Sequence, residues 1–257
     1  MENLSAYVLT KNSEAHLRDI LHRLSIIADE ILIIDSGSTD NTKAIATSFD
    51  NVKFFFHEFR TFREQRTIAA DACSYDMVLW VDSDEIPDFP FIHSVQSIQQ
   101  SGFGHDAYRV ARKWSVLGKF VHSLLPITSP DFPVRLYRKS KVAFADSTLV
   151  HETPSGYRSL GMIEGCLNHI TFKSRTELHA KLELYTGIAA QDLVLKERRV
   201  YASKIVFSPL AAFVKWYLIK GGFKDGWTGV VLGIYAYQYT LKKYLKAKKL
   251  IKAASGA

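Results

Sequence analysis

Between Leu4 and Val81, short apolar runs alternate with amphipathic stretches. Leu4 to Leu9, Glu30 to Asp35, Val52 to Phe56 and Met77 to Val81 are largely apolar runs bounded by polar residues. Runs of that length and composition read as strands buried on both faces. Between them, Ser13 is placed to cap a helix carrying Leu17, Ile20, Leu21, Leu24 and Ile27 at helical spacing. Thr39 or Asp40 can cap a second helix, through Ile45 and Phe49, and Thr61 to Ala72 reads as a third. Strand and helix repeated three times and closed by a strand predict a parallel sheet with right-handed crossovers and helices on its faces.

After Pro87 the pattern changes. Phe91 to Ile98 reads as a short helix, and His105 to Phe120 alternates as a strand does. Val134 to Arg138 alternates too, with shorter strand candidates at Val142–Phe144, Thr148–His151 and Gly165–Phe172. This half predicts antiparallel additions to the first sheet, with long loops at Ser123–Pro133 and Thr153–Gly161 of the kind that wall a site. Arg175 to Arg199 is helical in character, with Leu178, Leu182, Tyr185, Ile188, Ala189 and Leu193 on one face. Two apolar stretches follow, Ile205–Ile219 and Trp227–Leu241, and then a lysine-rich segment, Lys242–Lys252. Neither stretch reaches about 18 residues without a charge or a break, so neither is expected to span a bilayer.

Charge separates the two ends. The net charge is +7, but Leu193 to Lys252 alone holds 13 Lys/Arg against Glu197 and Asp225, so the rest of the chain is at −4. An acidic body with a basic, aromatic-rich tail suggests an anionic partner surface. Anionic lipid attracts such segments by about 1 kcal/mol per charge. Membrane contact is therefore expected and nucleic acid is not, with helices packing on the body as the competing reading. Hydrophobic residues make up 47% and charged residues 23%, ordinary values for a globular chain. Cys73 and Cys166 have no paired spacing, which argues against a disulfide framework or zinc site and for a reducing compartment. The start, Met-Glu-Asn-Leu-Ser, shows no secretory signal pattern.

The candidate chemistry sits where strands end. Val78-Leu79-Trp80-Val81 runs straight into Asp82-Ser83-Asp84-Glu85, three carboxylates in four positions. Open α/β sheets bind ligands at the carboxyl ends of their strands. A divalent metal carrying a phosphate would offset such crowded charge. A solvated acidic turn is the plain alternative. Asp35 ends the second strand on the same sheet edge; Asp-Ser-Gly-Ser is also good turn chemistry. The glycine-rich dinucleotide and phosphate-loop signatures are missing after the first strand.

Three ordered stretches carry a resemblance. Thr10-Lys11-Asn12-Ser13-Glu14, Asp35-Ser36-Gly37-Ser38-Thr39-Asp40-Asn41-Thr42 and Trp80-Val81-Asp82-Ser83-Asp84-Glu85 resemble the inverting family 2 glycosyltransferases of the GT-A fold. Phe62-Arg63-Glu64-Gln65-Arg66-Thr67 looks like that family's helix before the metal motif, although Thr67 stands where the family often has Asn. Arg135-Leu136-Tyr137-Arg138, Val150-His151-Glu152, Gly165-Cys166-Leu167-Asn168-His169 and the stretch Ile219 to Gly226 are similar to a bacterial subgroup that includes lipopolysaccharide-core β-1,4-glucosyltransferases.

The resemblance implies an α/β GT-A fold, with a mixed, mostly parallel sheet, flanking helices and a C-terminal helical extension. Residues 1–199 would be catalytic (1–86 a nucleotide-binding half, 87–199 an acceptor half) and residues 200–257 a basic helical region. It implies a metal-dependent transfer of a hexose from a nucleoside-diphosphate sugar, read as a UDP-sugar, to a glycan or glycolipid acceptor of the cell envelope. Mg²⁺ or Mn²⁺ would be held by Asp82 and Asp84, with His151 as a possible third ligand. The donor would meet Thr10, Asn12, Glu14, Asp35, Ser36, Gln65, Arg66 and Asp82. Glu152, or Glu85 as the alternative, would be the base that takes the acceptor's proton. Arg135 and Arg138 are weaker candidates for phosphate. The expected location is cytoplasmic, peripheral on the inner face of the membrane, and the oligomeric state is open.

Two other classes compete. A haloacid-dehalogenase-like phosphohydrolase also has a strand followed by Asp-x-Asp, but there the motif opens the domain, whereas here it follows three strand–helix units. A non-catalytic membrane-surface module would explain the basic tail and leave the carboxylates unexplained.

Overall fold

The computed structural model describes residues 2–144, 154–196 and 200–255. The chain begins β1 (Leu4–Thr10), α1 (Glu14–Leu24), β2 (Glu30–Asp35), α2 (Thr42–Ala46), β3 (Val52–Phe56), α3 (Phe62–Ala72) and β4 (Met77–Asp82). It continues through β5 (Glu85–Pro87), α4 (Phe89–Ser101), β6 (Ala107–Val116), β7 (Lys119–Phe120), β8 (Ser123–Leu124), β9 (Ile127–Thr128) and β10 (Val134–Arg138). Short strands β11 (Ala143–Phe144) and β12 (Pro154–Ser155) precede the long β13 (Leu160–Phe172). Helices α5 (Arg175–Leu195), α6 (Ala202–Phe213) and α7 (Gly226–Ser255) complete it. A π-helical segment, Val214–Ile219, and a 3₁₀ turn, Gly222–Asp225, lie between the last two.

Two compact units divide the chain: Met1–Arg112 with Phe132–His169, and Lys113–Asp131 with Ile170–Ala257. These boundaries cut the chain at other places than the sequence-based split after residue 199.

The first unit is built on a mixed sheet in the order β3-β2-β1-β4-β10-β6-β13-β5. Its first four strands pair in parallel, as the strand–helix repeats require, while β10 pairs antiparallel with both β4 and β6, and β13 with β5. Alternate residues of each strand go to opposite faces. On one face Leu4, Ala6, Val8, Ile31, Ile33, Leu79 and Val81 pack with Leu17, Ile20, Leu21 and Leu24 of α1 and with Phe91, Ile92 and Val95 of α4. On the other, Tyr7, Leu32, Ile34, Val78 and Trp80 pack with Ala69 and Ala70 of α3.

Local chemistry sets the ends. Thr61 caps α3 by accepting from the Glu64 N–H. Ser13 starts α1 but makes no capping bond; its hydroxyl turns to the Ser83 hydroxyl instead. The second helix ends at Ala46, short of the expected Phe49, and at its start the Asp40 carboxylate accepts from the Thr42 N–H and hydroxyl as a capping residue does. Gly165, at φ 84°, lets β13 pass directly over the start of α4, where a Cβ would run into the Phe91 backbone. The Asp88 carboxylate that caps α4 also accepts from the Cys166 N–H, tying the two elements together.

In the second unit, Trp114, Val116, Val121, Leu124 and Phe172 form a core with Leu178 and Leu182 of α5 and Leu232 and Tyr235 of α7. One stretch departs from expectation. Ala202–Ile219 is a continuous 18-residue helix of mean hydropathy 1.3, by length and composition just apolar enough to cross a membrane, and only 11% of it is buried.

Candidate active site

The carboxyl ends of β1, β2 and β4 meet at one edge of the first unit, and the sequence-derived donor residues gather there. Thr10 ends β1, and its hydroxyl donates to Asp35 Oδ2 at 2.8 Å. Asn12, at φ 51°, accepts the Thr39 N–H on its side-chain oxygen at 2.8 Å. Glu14 Oε2 accepts from both the backbone and side-chain nitrogens of Asn41. These contacts hold the loop after β2 against the loop after β1. Gln65 reaches the same place from α3, donating from Nε2 to the Ser36 hydroxyl and to the His57 and Glu58 carbonyls. The bond from Ser13 to Ser83, at 3.0 Å, joins this network to the acidic motif.

Asp35 is buried within the turn it forms. Oδ1 accepts the Gly37 and Ser38 N–H groups, and Oδ2 accepts the Ser38 and Thr10 hydroxyls. Four donors fill a carboxylate's four acceptor positions. Burial pushes this carboxyl up, but the Ser38 bonds, then Thr10 and Gly37, outweigh it and hold the group below the usual carboxylate range. The turn reading of Asp-Ser-Gly-Ser is therefore realised, and a ligand bonding to Asp35 would have to displace one of these hydroxyls.

The three acids of the motif have three environments. Asp84 is the most open, its side chain 43% exposed; Asp82 is 28% exposed, and Glu85 is fully buried. Glu85 Oε1 accepts from Arg112 Nη1 at 2.9 Å and from Arg135 Nη2 at 2.5 Å. Asp82 shares Arg135, at 2.9 Å, and lies 3.4 Å from Arg66 Nη2. Both guanidiniums lie over the Trp80 ring, Arg66 at 3.5 Å and Arg135 at 4.0 Å from its centroid. His169, from β13, places Nδ1 3.3 Å from Asp84 Oδ1 and 3.5 Å from Glu85 Oε1. Burial pushes the Glu85 carboxyl up; Arg135, His169 and Arg112 together overcome that and hold it well below the usual range.

Such a carboxylate is a weak base. Glu85, the alternative base of the sequence reading, is the buried counter-ion of two arginines. Arg135 and Arg138, the weaker phosphate candidates, each face carboxylates of the chain itself. Arg135 is buried beneath the motif, because β10 lies inside the sheet between β4 and β6, and Arg138 pairs with Glu2 and Asp76. Arg112 and His169 had no role in the sequence reading. The available signal was the motif's own charge, since three adjacent carboxylates at a buried strand end require cations nearby. His151 and Glu152 lie outside the described residues.

Oxygen donors at Asp82 and Asp84 suit a hard divalent cation, and Mg²⁺ in particular is commonly held by one or two carboxylates plus substrate phosphates. Among the described residues there is no group of three or more His, Cys, Asp or Glu placed to hold a metal unaided. The donor set fits a metal that arrives with a phosphate.

Residues 5–104, which take in all but the first residue of β1, β2 to β4 and the whole acidic motif, match the model of Glycosyl transferase family 2. Residues 5–104 are a family 2 glycosyltransferase domain. The mixed sheet with helices packed on both faces is the α/β architecture expected from the sequence. Over nearly its whole length the chain is similar to the lipopolysaccharide core biosynthesis glycosyltransferase LpsC of Rhizobium meliloti (strain 1021), at 27% identity over 253 residues, 94% of this chain and 92% of LpsC. An uncharacterized glycosyltransferase of Rickettsia felis is 25% identical, over 97% of this chain and 90% of its own length. Among solved structures, S. aureus TarS 1–349 superposes over 98% of this chain and 92% of its own, with a TM-score of 0.48 and 13% identity. The motif thus belongs to a domain of glycosyl transfer, which sets aside the phosphohydrolase and the purely membrane-binding readings.

Proposed function

We propose that the chain moves a hexose from a nucleoside-diphosphate sugar, a UDP-sugar by its resemblance, to a hydroxyl of a cell-envelope glycan or glycolipid, with inversion. The observation that carries this reading is the exposed Asp84 beside Asp82 at the end of β4, on the edge that also holds the Thr10, Asn12, Glu14 and Gln65 network. The likeness to LpsC supports an envelope acceptor.

Asp82 and Asp84 would hold Mg²⁺ or Mn²⁺ against the donor diphosphate, with His169 beside Asp84. When bound, the metal would neutralise negative charge on the leaving diphosphate. The chain's own residues orient the rest. Arg66 and Arg135 fix Asp82 from two sides, so that Asp84 is the carboxylate left facing solvent. The Asn12 and Glu14 contacts keep the two donor-side loops closed on each other. Glu152 is proposed as the base that takes the acceptor proton. The protein is proposed to act at the inner face of the cytoplasmic membrane, held there peripherally.

A thermal-shift screen of nucleoside-diphosphate sugars, with and without Mn²⁺, identifies the donor. Release of nucleoside diphosphate with that donor then measures turnover. Asp84→Ala should reduce turnover by at least about a hundredfold with the melting temperature unchanged. Near-normal turnover in that variant with metal present would overturn the donor-site model. Release of inorganic phosphate in place of nucleoside diphosphate would point to a phosphohydrolase.

A further inference from the structure

α6 and the π-helical segment after it carry a face left in solvent. Val206, Phe207, Leu210, Val214, Leu218 and Ile219 are all exposed, Phe207 by 68% and Ile219 by 73%. Their spacing puts them on one side of a continuous helix. Phe223 and Trp227 extend the exposed apolar surface past the turn, Trp227 by 69%. The helix shows its inward side elsewhere. Pro209 and Trp216 are its buried residues, and the Ser123 hydroxyl donates to the Trp216 carbonyl at 3.0 Å. A soluble helix normally turns its apolar stripe to the core. This one turns most of it outward, and an apolar patch of that size on a folded protein marks an interaction surface.

Charge identifies what covers it. Lys204, Lys215, Lys220 and Lys224 are exposed along the same segment. The one acid between Tyr201 and Trp227 is Asp225, whose side chain is 2% exposed and is bonded to the His122 ring and N–H. The surface is thus apolar side chains interleaved with lysines and no exposed carboxylate. A second copy of the same face would set lysines against lysines. Nucleic acid would leave Phe207, Leu218 and Ile219 in water. An anionic bilayer satisfies both parts, because the apolar side chains enter the acyl boundary while lysine stems lie along it with their ammonium groups among the phosphates.

We infer that α6, the π-helical segment and the turn to Trp227 dock flat on an anionic phospholipid surface, with Phe207, Leu210, Leu218, Ile219 and Trp227 inserted and the four lysines on headgroup phosphates. The packing of Pro209 and Trp216 on the unit keeps the helix lying on the bilayer rather than crossing it. This deepens the peripheral location proposed above, while the docking itself does not depend on sugar transfer.

Full-length protein is mixed with vesicles of phosphatidylcholine alone or with added phosphatidylglycerol, across a salt series, and separated by flotation. Binding is expected with the anionic vesicles and should weaken as salt rises. Trp80, Trp114 and Trp216 are buried, so a blue shift of tryptophan emission and its quenching by brominated acyl chains report Trp227. Phe207→Ser with Ile219→Ser should lower vesicle affinity by at least about tenfold while leaving donor turnover in solution unchanged. Lys215→Glu with Lys220→Glu should abolish the preference for anionic vesicles. The Asp84→Ala protein should float as the native one does, so failure of the transfer reading is distinguishable from failure of this one. Four outcomes would overturn the inference. They are no binding to anionic vesicles at low salt, binding that the Phe207/Ile219 variant leaves unchanged, absence of quenching, or protein that only detergent releases. A dimer dispersed by the Phe207/Ile219 variant, without vesicle binding, would assign the face to a second copy instead.

Discussion

At the scale of single residues, the acidic motif is three groups with separate duties, and its cations decide which is which. Glu85 is fully buried against Arg135 and Arg112, while Asp84 stays open. Removing one partner of a buried pair leaves an uncompensated charge, at a cost of about 3–5 kcal/mol. Arg135→Met should therefore lower the unfolding free energy by about 3 kcal/mol in urea titrations. The same variant with Glu85→Gln should lose less than the two single changes summed, because the stranded charge is then gone. A loss under about 1 kcal/mol for Arg135→Met would mean that Arg112 and His169 suffice to hold Glu85. Asp35 teaches the same lesson from the other side. A carboxylate at a strand end invites a ligand role, yet its acceptor positions are filled by its own turn and by Thr10 of the neighbouring strand.

Among the elements, the same sheet holds a second buried carboxylate at its opposite end. Glu30, the first residue of β2, accepts from the Ser5 hydroxyl of β1, from Lys53 of β3 and from the Ser74 N–H and hydroxyl just before β4. Burial pushes its carboxyl up, but Lys53, Ser5 and Ser74 bring it down to about 2 from 4.5. As pH falls the unfolded chain takes up this proton first, so the stability Glu30 contributes is complete above about pH 4.5 and declines between there and about pH 2. Glu30→Gln should cost about 2 kcal/mol at neutral pH and flatten the acid limb of a stability-versus-pH curve measured by denaturant unfolding. An acid limb identical to that of the native chain would sink the idea. The four parallel strands were legible because each is a self-contained apolar run, and α3 because Phe62, Ile68, Ala69 and Ala72 fall at helical spacing. The place of β10 was not legible: its pairing with β4 and β6 joins residues far apart in the chain, and nothing local to Val134–Arg138 says that both its faces are covered. With both faces of β10 covered, Arg135 lies buried against Asp82 and Glu85. Two cofactor-side readings, Gln65 and Arg66, came from a resemblance rather than from any pattern, and the structure gives them concrete partners at Ser36 and Asp82.

For the whole molecule, the resemblance implies a catalytic part up to residue 199 followed by a basic helical region, while the packing joins that region to part of the chain before it. Leu232 and Tyr235 of α7 belong to the same core as Trp114, Val116 and Phe172, which come from β6 and β13. His122 and Ser123 bond to Asp225 and to the Trp216 carbonyl, so the 113–131 segment is fastened to the C-terminal helices on the polar side as well. Glu183 of α5 pairs with Lys242 and Lys246 of α7, so part of the lysine run meets a carboxylate of the chain itself. A chain ending at residue 199 would therefore strip one wall from a buried aromatic cluster, exposing side chains that each gain about 1.5–3 kcal/mol from burial. Such a truncation should bind a hydrophobic dye, unfold without a single cooperative transition and precipitate at concentrations where the full chain stays clear. If residues 1–199 instead gave a soluble protein with one sharp transition and undiminished donor turnover, the C-terminal helices would be dispensable to the fold and to the donor site.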